Sequence, residues 1–113
     1  MTVYVDDVRH AYGRMVMCHM WADSLDELLA LADRIDVARK WLQKPPMASW
    51  IHFDISLGKK ALALANGAKL TDRFGPLEHV ARLHIESGED ARVAYGQERL
   101  ARIERARAMR ASI

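Results

Sequence analysis

Cysteine is nearly missing from this chain: Cys18 stands alone. One thiol excludes an internal disulfide and any zinc site built on several thiolates. Long apolar runs are missing too. None approaches the ~20 residues that a membrane helix needs, so no membrane partner is expected. The N-terminus enters directly into Val3-Tyr4-Val5, without a basic start or a leader-like apolar core. No signal peptide is therefore expected, and the cytoplasm is the expected location. The chain has no Gly-rich phosphate loop with its lysine, no His-Glu-x-x-His and no nucleophile elbow. An RNA-recognition signature is also lacking. Neither an internal repeat nor a low-complexity segment is found.

What is present describes a small folded protein. The 113 residues are enough to bury a working core without staples. Half are hydrophobic and 28% are charged, which is the balance of a globular chain and not of a disordered one. The net charge of +2 hides an asymmetry. Residues 91–113 carry six arginines against Glu98 and Glu104, a net +4, which leaves −2 on the first ninety residues. A basic tail of this kind meets nucleic acid, docks on an acidic body, or is simply a solvated helix.

Periodicity divides the chain into alternating strands and helices. Thr2–Val5 is β-branched and aromatic, as in a strand. Asp6 to Arg14 reads as a polar loop, and Met15–Met20 as a buried strand. Ser24 and Glu27 form a capping box for a helix over roughly 24–35, with Leu25, Leu28, Leu29, Ala32 and Ile35 on one side. Val37–Leu42 is a candidate strand, broken by Lys44-Pro45-Pro46. Trp50–Phe53 reads as the next strand. Ser56 then caps a helix whose face is Leu57, Ala61, Leu64 and Ala65, and Asn66-Gly67 stops it. A short strand over Ala68–Thr71 follows. A helix from Pro76 to Glu86 comes next, with Leu77, Val80, Ala81 and His84 on one face. Gly88 ends it. Residues 90–111 form an Ala/Arg helix with a thin stripe of Val93, Leu100, Ile103 and Ala106, weakened by Gly96. Repeated strand-then-helix units imply an α/β fold: a small, mainly parallel sheet with flanking helices, plus a C-terminal basic helix. The expected division is an α/β domain over 1–88 and a helical extension over 89–113.

In a parallel sheet the C-terminal strand ends share one edge, where ligands bind. Three candidate strands end there in ionisable groups: Asp6 with Asp7, His19 with Asp23, and His52 with Asp54. His52 and Asp54 are two apart, so an extended backbone points both to one face. Imidazole and carboxylate ligands that converge in this way suit a divalent metal. Without one they suit acid–base work, the carboxylate setting the imidazole tautomer. His19, His52 and Asp54 are the candidate catalytic residues, and Asp6 and Asp23 the candidate ligand-binding ones. Lys59 and Lys60 lie in the first turn of the helix that Ser56 caps, where the backbone amides favour an anion and a cation is tolerated best beside one.

Each of these residues also has a plainer role. Asp54 can cap a turn, His52 and His19 can be packed core histidines, and Asp23 next to Ser24 can be helix-start chemistry. Asp6 and Asp7 can end an edge strand. Cys18 reads as a small buried hydrophobe, because no setting that lowers its pKa is visible. His79 and His84 are five apart on a helix, which is poor metal spacing. The case for a site rests on three strand ends that carry the same kind of group.

Val3-Tyr4-Val5-Asp6, Cys18-His19-Met20, Ala22-Asp23, Glu27-Leu28, His52-Phe53-Asp54, Lys60-Ala61 and Gly67-Ala68 occur in that order. Together they resemble a family of short bacterial and phage proteins known only as a domain of unknown function. The resemblance spans residues 2–71 and implies a site pattern without an activity. Leu29 stands where that family often carries a histidine, and Cys18 where it has a serine.

Two functions follow as expectations. In the first, the site binds a small anionic, phosphate-bearing ligand such as a nucleotide, with hydrolysis assisted by a divalent metal. In the second, the protein is a non-enzymatic bacterial or phage accessory that binds a protein partner or forms a homo-oligomer through its C-terminal helix. Nucleic-acid binding by that helix ranks last, since Glu98 and Glu104 interrupt its charge and Tyr95 is its only aromatic.

Overall fold

The computed structural model describes residues 2–112. Among them are five strands: β1 (Val3–Val5), β2 (His10–Tyr12), β3 (Met15–Ala22), β4 (Phe53–Ser56) and β5 (Lys69–Leu70). Four α-helices accompany them: α1 (Leu25–Arg34), α2 (Leu57–Ala65), α3 (Gly75–Glu86) and α4 (Asp90–Ala111). The chain splits into two compact units, the first ending at Arg73 and the second starting at Phe74.

β3 is the hub of the first unit. It pairs antiparallel with β1, β2 and β4, and only the short β1–β5 pairing is parallel. The sheet is therefore mixed, not mainly parallel as the strand–helix alternation implied. The reason is local. Tyr12-Gly13-Arg14-Met15 closes a hairpin with Gly13 at φ 60°, so the polar stretch read as loop returns as β2.

Register assigns the edges of β3. Met17 pairs with both His10 and Ser56, and Met20 with both Val5 and Phe53. Hence β1 and β2 lie along one edge of β3, and β4 along the other. Between Val5↔Met20 and His10↔Met17, the four residues Asp6 to Arg9 face only Cys18 and His19. The chain bulges there, as an edge does when it carries more residues than its partner.

Pleat alternation gives the sheet two unlike faces. Val5, Cys18, Met20, Ala22, Phe53 and Ile55 join Leu28, Leu31 and Ala32 of α1 and Ala63 of α2 in one buried cluster. The opposite face carries Met17, His19 and Trp21 of β3 and Asp54 of β4.

α1 starts as its sequence dictates: the Ser24 hydroxyl accepts from the Glu27 amide and donates to the Glu27 carboxylate. Ser56 caps α2 by accepting from the Lys59 amide, and Gly67, at φ 97°, follows its end. The face expected for α2 is displaced. Ala63 is buried and Leu57, Lys59 and Lys60 are half-buried, while Ala61, Leu64 and Ala65 are exposed. Val37–Leu42 is not a strand. Arg39–Trp41 forms a 3-10 turn, held by Trp41 N–H donating to Ala38 and by a bidentate Arg39–Asp33 pair. β4 starts at Phe53, later than Trp50, because its ladder runs along Met17–Met20 of β3.

The second unit is an antiparallel pair, α3 and α4. Gly96 of α4 is buried, and a Cβ there would lie 2.5 Å from the Ala81 carbonyl oxygen. This close approach packs α3 against α4 within the second compact unit. No helix among the described residues is long and apolar enough to cross a membrane.

Candidate functional site

Three neighbouring strands deliver the site. His19 of β3 stands directly opposite Asp54 of β4. His10 of β2 pairs with Met17, two residues before His19 and on the same face. His52 precedes Asp54 by two, and a bridge to Gln43 holds its backbone extended. The groups meet on the face of the mixed sheet opposite the core, where the strands that carry them run antiparallel. They do not meet at the C-terminal edge of parallel strands, where they were expected.

The geometry centres on one oxygen. Asp54 Oδ1 lies 3.6 Å from His52 Nε2 and 3.8 Å from the Nε2 atoms of both His10 and His19. Asp54 Oδ1 and His10 Nε2 are buried atoms without a hydrogen-bond partner. Donor atoms of His10, His19 and Asp54 all lie within 4.8 Å of one another. A tetrahedral centre with metal–nitrogen distances of ~2.0–2.1 Å has edges of ~3.4 Å, which the Asp54 Oδ1–Nε2 spacings approach, while His52 stands outside the group of three.

The outer groups orient these atoms. Asp6, fully buried, accepts from the His19 backbone amide at 3.0 Å and pairs with His19 Nδ1 at 2.7 Å. His52 Nδ1 donates to the Trp50 carbonyl at 3.0 Å. Each contact occupies Nδ1 and turns Nε2 toward Asp54, the second-sphere pattern typical of metal-ligating histidines. The Gln43 amide donates to Asp54 Oδ2 and leaves Oδ1 to the histidines. Trp50 stacks on the His52 ring at 4.2 Å, and His10 stacks on His19 at 5.2 Å.

Electrostatics separates the two oriented histidines. The hydrogen bond to Asp6 raises the His19 pKa above its ordinary value, against the effect of burial. Burial lowers that of His52, which favours a neutral ring. With Nδ1 donating, a neutral His52 presents a lone pair at Nε2 to a carboxylate oxygen. Two acceptors face each other, and a cation between them would satisfy both. Burial also pushes the Cys18 thiol up to about 11, with Asp6 adding to it, so it is no ready nucleophile.

Four of the residues singled out in the sequence come together here: Asp6, His19, His52 and Asp54. Asp23 does not join them. It accepts from the Thr2 amide and the Tyr4 hydroxyl, both at 3.0 Å, and so ties down β1. Lys59 donates to the Ile35 carbonyl at 2.8 Å, which places its charge at the C-terminal end of α1. Lys60 is half-buried and acts on Cys18 by charge. Leu29 packs against the core. His10 and Gln43 were missed. The signal for His10 was Gly13-Arg14, a two-residue hairpin loop between short alternating runs. Gln43 carried no signal, since a bridge across the proline break positions it.

The family model for a protein of unknown function (DUF4031) matches residues 3–84. The chain belongs to the DUF4031 family. The match to DUF4031 takes in every residue of the cluster and runs past Thr71, where the resemblance was drawn, into α3. α4 lies outside it. No curated protein and no solved structure matches the chain.

Proposed function

We propose that the first unit is a divalent-metal centre that binds a small phosphate-bearing ligand and hydrolyses it. The observation that carries this reading is Asp54 Oδ1, a buried carboxylate oxygen with no hydrogen-bond partner and three imidazole nitrogens at 3.6–3.8 Å. Buried polar atoms are nearly always paired, and an orphan of this kind marks an ion or a catalytic role. An imidazole-rich donor set suits Zn²⁺, Co²⁺ or Ni²⁺ better than Mg²⁺ or Ca²⁺. The Asp54, His19 and His10 side chains are 28%, 25% and 36% exposed, so the cluster lies near the surface although Asp54 Oδ1 and His10 Nε2 are themselves buried. An open position is what separates a catalytic metal centre from a structural one.

Bound there, the metal would lower the pKa of a water, which gives up a proton to solvent, and would polarise a phosphoryl oxygen. Hydrolysis there would join a water oxygen to phosphorus as the phosphorus–oxygen bond to the leaving group breaks. The leaving oxygen takes a proton from solvent. Asp6 and the Trp50 carbonyl keep the two imidazoles aimed throughout.

Cobalt titration tests the centre. Wild type should develop the visible absorption of a low-coordinate Co²⁺ site, and His19→Ala, His52→Ala and Asp54→Ala should lose it while retaining the far-UV spectrum. Absence of cobalt, zinc and nickel binding in wild type would end the metal reading. Hydrolysis is then followed as phosphate release from p-nitrophenyl phosphate by the zinc-loaded protein.

A second reading, an accessory protein acting through its helices, rests on the second unit. Leu77, Leu83, Tyr95 and Met109 are 46%, 44%, 50% and 70% exposed. A concentration-dependent oligomer that is lost on deleting residues 90–113, together with no metal binding, would favour it.

A further inference from the structure

A cleft of about 380 Å³ opens beside the cluster and includes His10 and Asp54 in its lining. This is within the ~300–1,000 Å³ typical of small-ligand sites. Its other walls are Tyr12, Met15, Met17, Trp41 and Gln43. Two of these are large aromatics left in water: Tyr12 is 72% exposed and Trp41 62%. Met15, 48% exposed, continues the apolar wall. Aromatic rings held in solvent beside convergent polar groups are typical of recognition surfaces.

A cation stands beside the aromatic wall. Lys40 Nζ lies 5.0 Å over the Trp41 ring. The matching ligand has a flat ring at one end and negative charge at the other.

We propose that the ligand is a nucleoside phosphate, its base against Tyr12 and Trp41 and its phosphate at the His10–His19–Asp54 end. This rests on the metal-centre reading for the phosphate, while the base contact is independent of it. Stacking on an aromatic face is open to any base, so the cleft should accept purines and pyrimidines alike. A bare sugar phosphate offers the same anion and no ring, which makes it the informative competitor.

The experiment compares AMP, UMP, ribose 5-phosphate and inorganic phosphate by calorimetry on cobalt-loaded and metal-free protein. Both nucleotides should bind about tenfold or more tightly than ribose 5-phosphate and should quench tryptophan fluorescence. Tyr12→Ala and Trp41→Ala should each erase most of that preference with the cobalt spectrum unchanged, and Tyr12→Phe and Trp41→Phe should keep it. Equal affinity for AMP and ribose 5-phosphate, or alanine variants without effect, overturns the proposal and leaves the metal centre standing. Failure to bind cobalt overturns the centre alone, and the metal-free comparison then decides the base contact. If the alanine variants instead turn a dimer into a monomer and leave nucleotide affinity unchanged, the aromatics serve a second copy of the chain and the proposal falls.

Discussion

One carboxylate in each compact unit is treated in the opposite way to the other. In the helical unit, Glu78 is answered twice, by Arg82 at 2.8 Å and by Arg107. In the sheet unit, one Asp54 oxygen is buried with no donor and faces three imidazoles. Stability alone favours the first arrangement, because an unpaired buried acceptor costs ~1–3 kcal/mol. Natural proteins keep such a defect where it serves a site. The contrast is what motivates the proposal that the Asp54 cluster is a centre of chemistry.

Ligand dependence should break the contrast most sharply. Zn²⁺ at a thousand times its dissociation constant should stabilise the sheet unit by ~4 kcal/mol, read as a rise in unfolding temperature. His52→Ala should show no rise, and a rise equal to wild type would remove His52 from the centre. Next in size is Gly96→Ala. Its new Cβ would meet the Ala81 carbonyl, and crowding should outweigh the gain in helix propensity for a net loss of about 2 kcal/mol. Thermal melting of the helical signal reports the loss, with cobalt affinity unchanged.

Asp54→Asn should act in the other direction. The amide can donate to an imidazole lone pair, so the metal-free protein should gain about 1 kcal/mol while cobalt binding is lost. A variant that loses both stability and metal would make Asp54 an ordinary structural residue. The smallest effect concerns acid. Burial raises the Glu78 pKa, but its hydrogen bonds to Arg82 and Arg107 outweigh that and lower it below the ordinary 4.5. Its contribution is present above the unfolded value and is lost as pH falls through the depressed folded value. Glu78→Gln should flatten that loss in melts between pH 5 and pH 3.

The residues of the centre were more legible than its position. His19, His52, Asp54 and Asp6 stand out because imidazoles and carboxylates end apolar runs, and the spacing of two places His52 and Asp54 on one face. What misled was direction. Strands followed by helices suggest parallel crossovers, whereas a two-residue turn at Gly13-Arg14 sends β3 back along β2 and moves the site from an edge to a face. Helix boundaries were readable where chemistry marks them, at Ser24, Ser56, Gly67 and Gly88. Which residues of α2 face inward was not readable, because Lys59 and Lys60 are half-buried while Ala61, Leu64 and Ala65 are exposed. Lys59 illustrates a further limit: a cation in the first turn of α2 serves the far end of α1, and only the tertiary fold reveals that.

The hairpin that carries His10 has a consequence for ancestry. A residue lost from the bulge is absorbed there, because the Tyr12↔Met15 pair beside the turn fixes β2 on β3, whereas losing Ala11 would move His10 to the other face of the pleat. A chain could thus keep every ligand and forfeit the centre through a single deleted codon. In tracing this cluster across genomes, the count of residues from His10 to His19 is as diagnostic as the letters themselves.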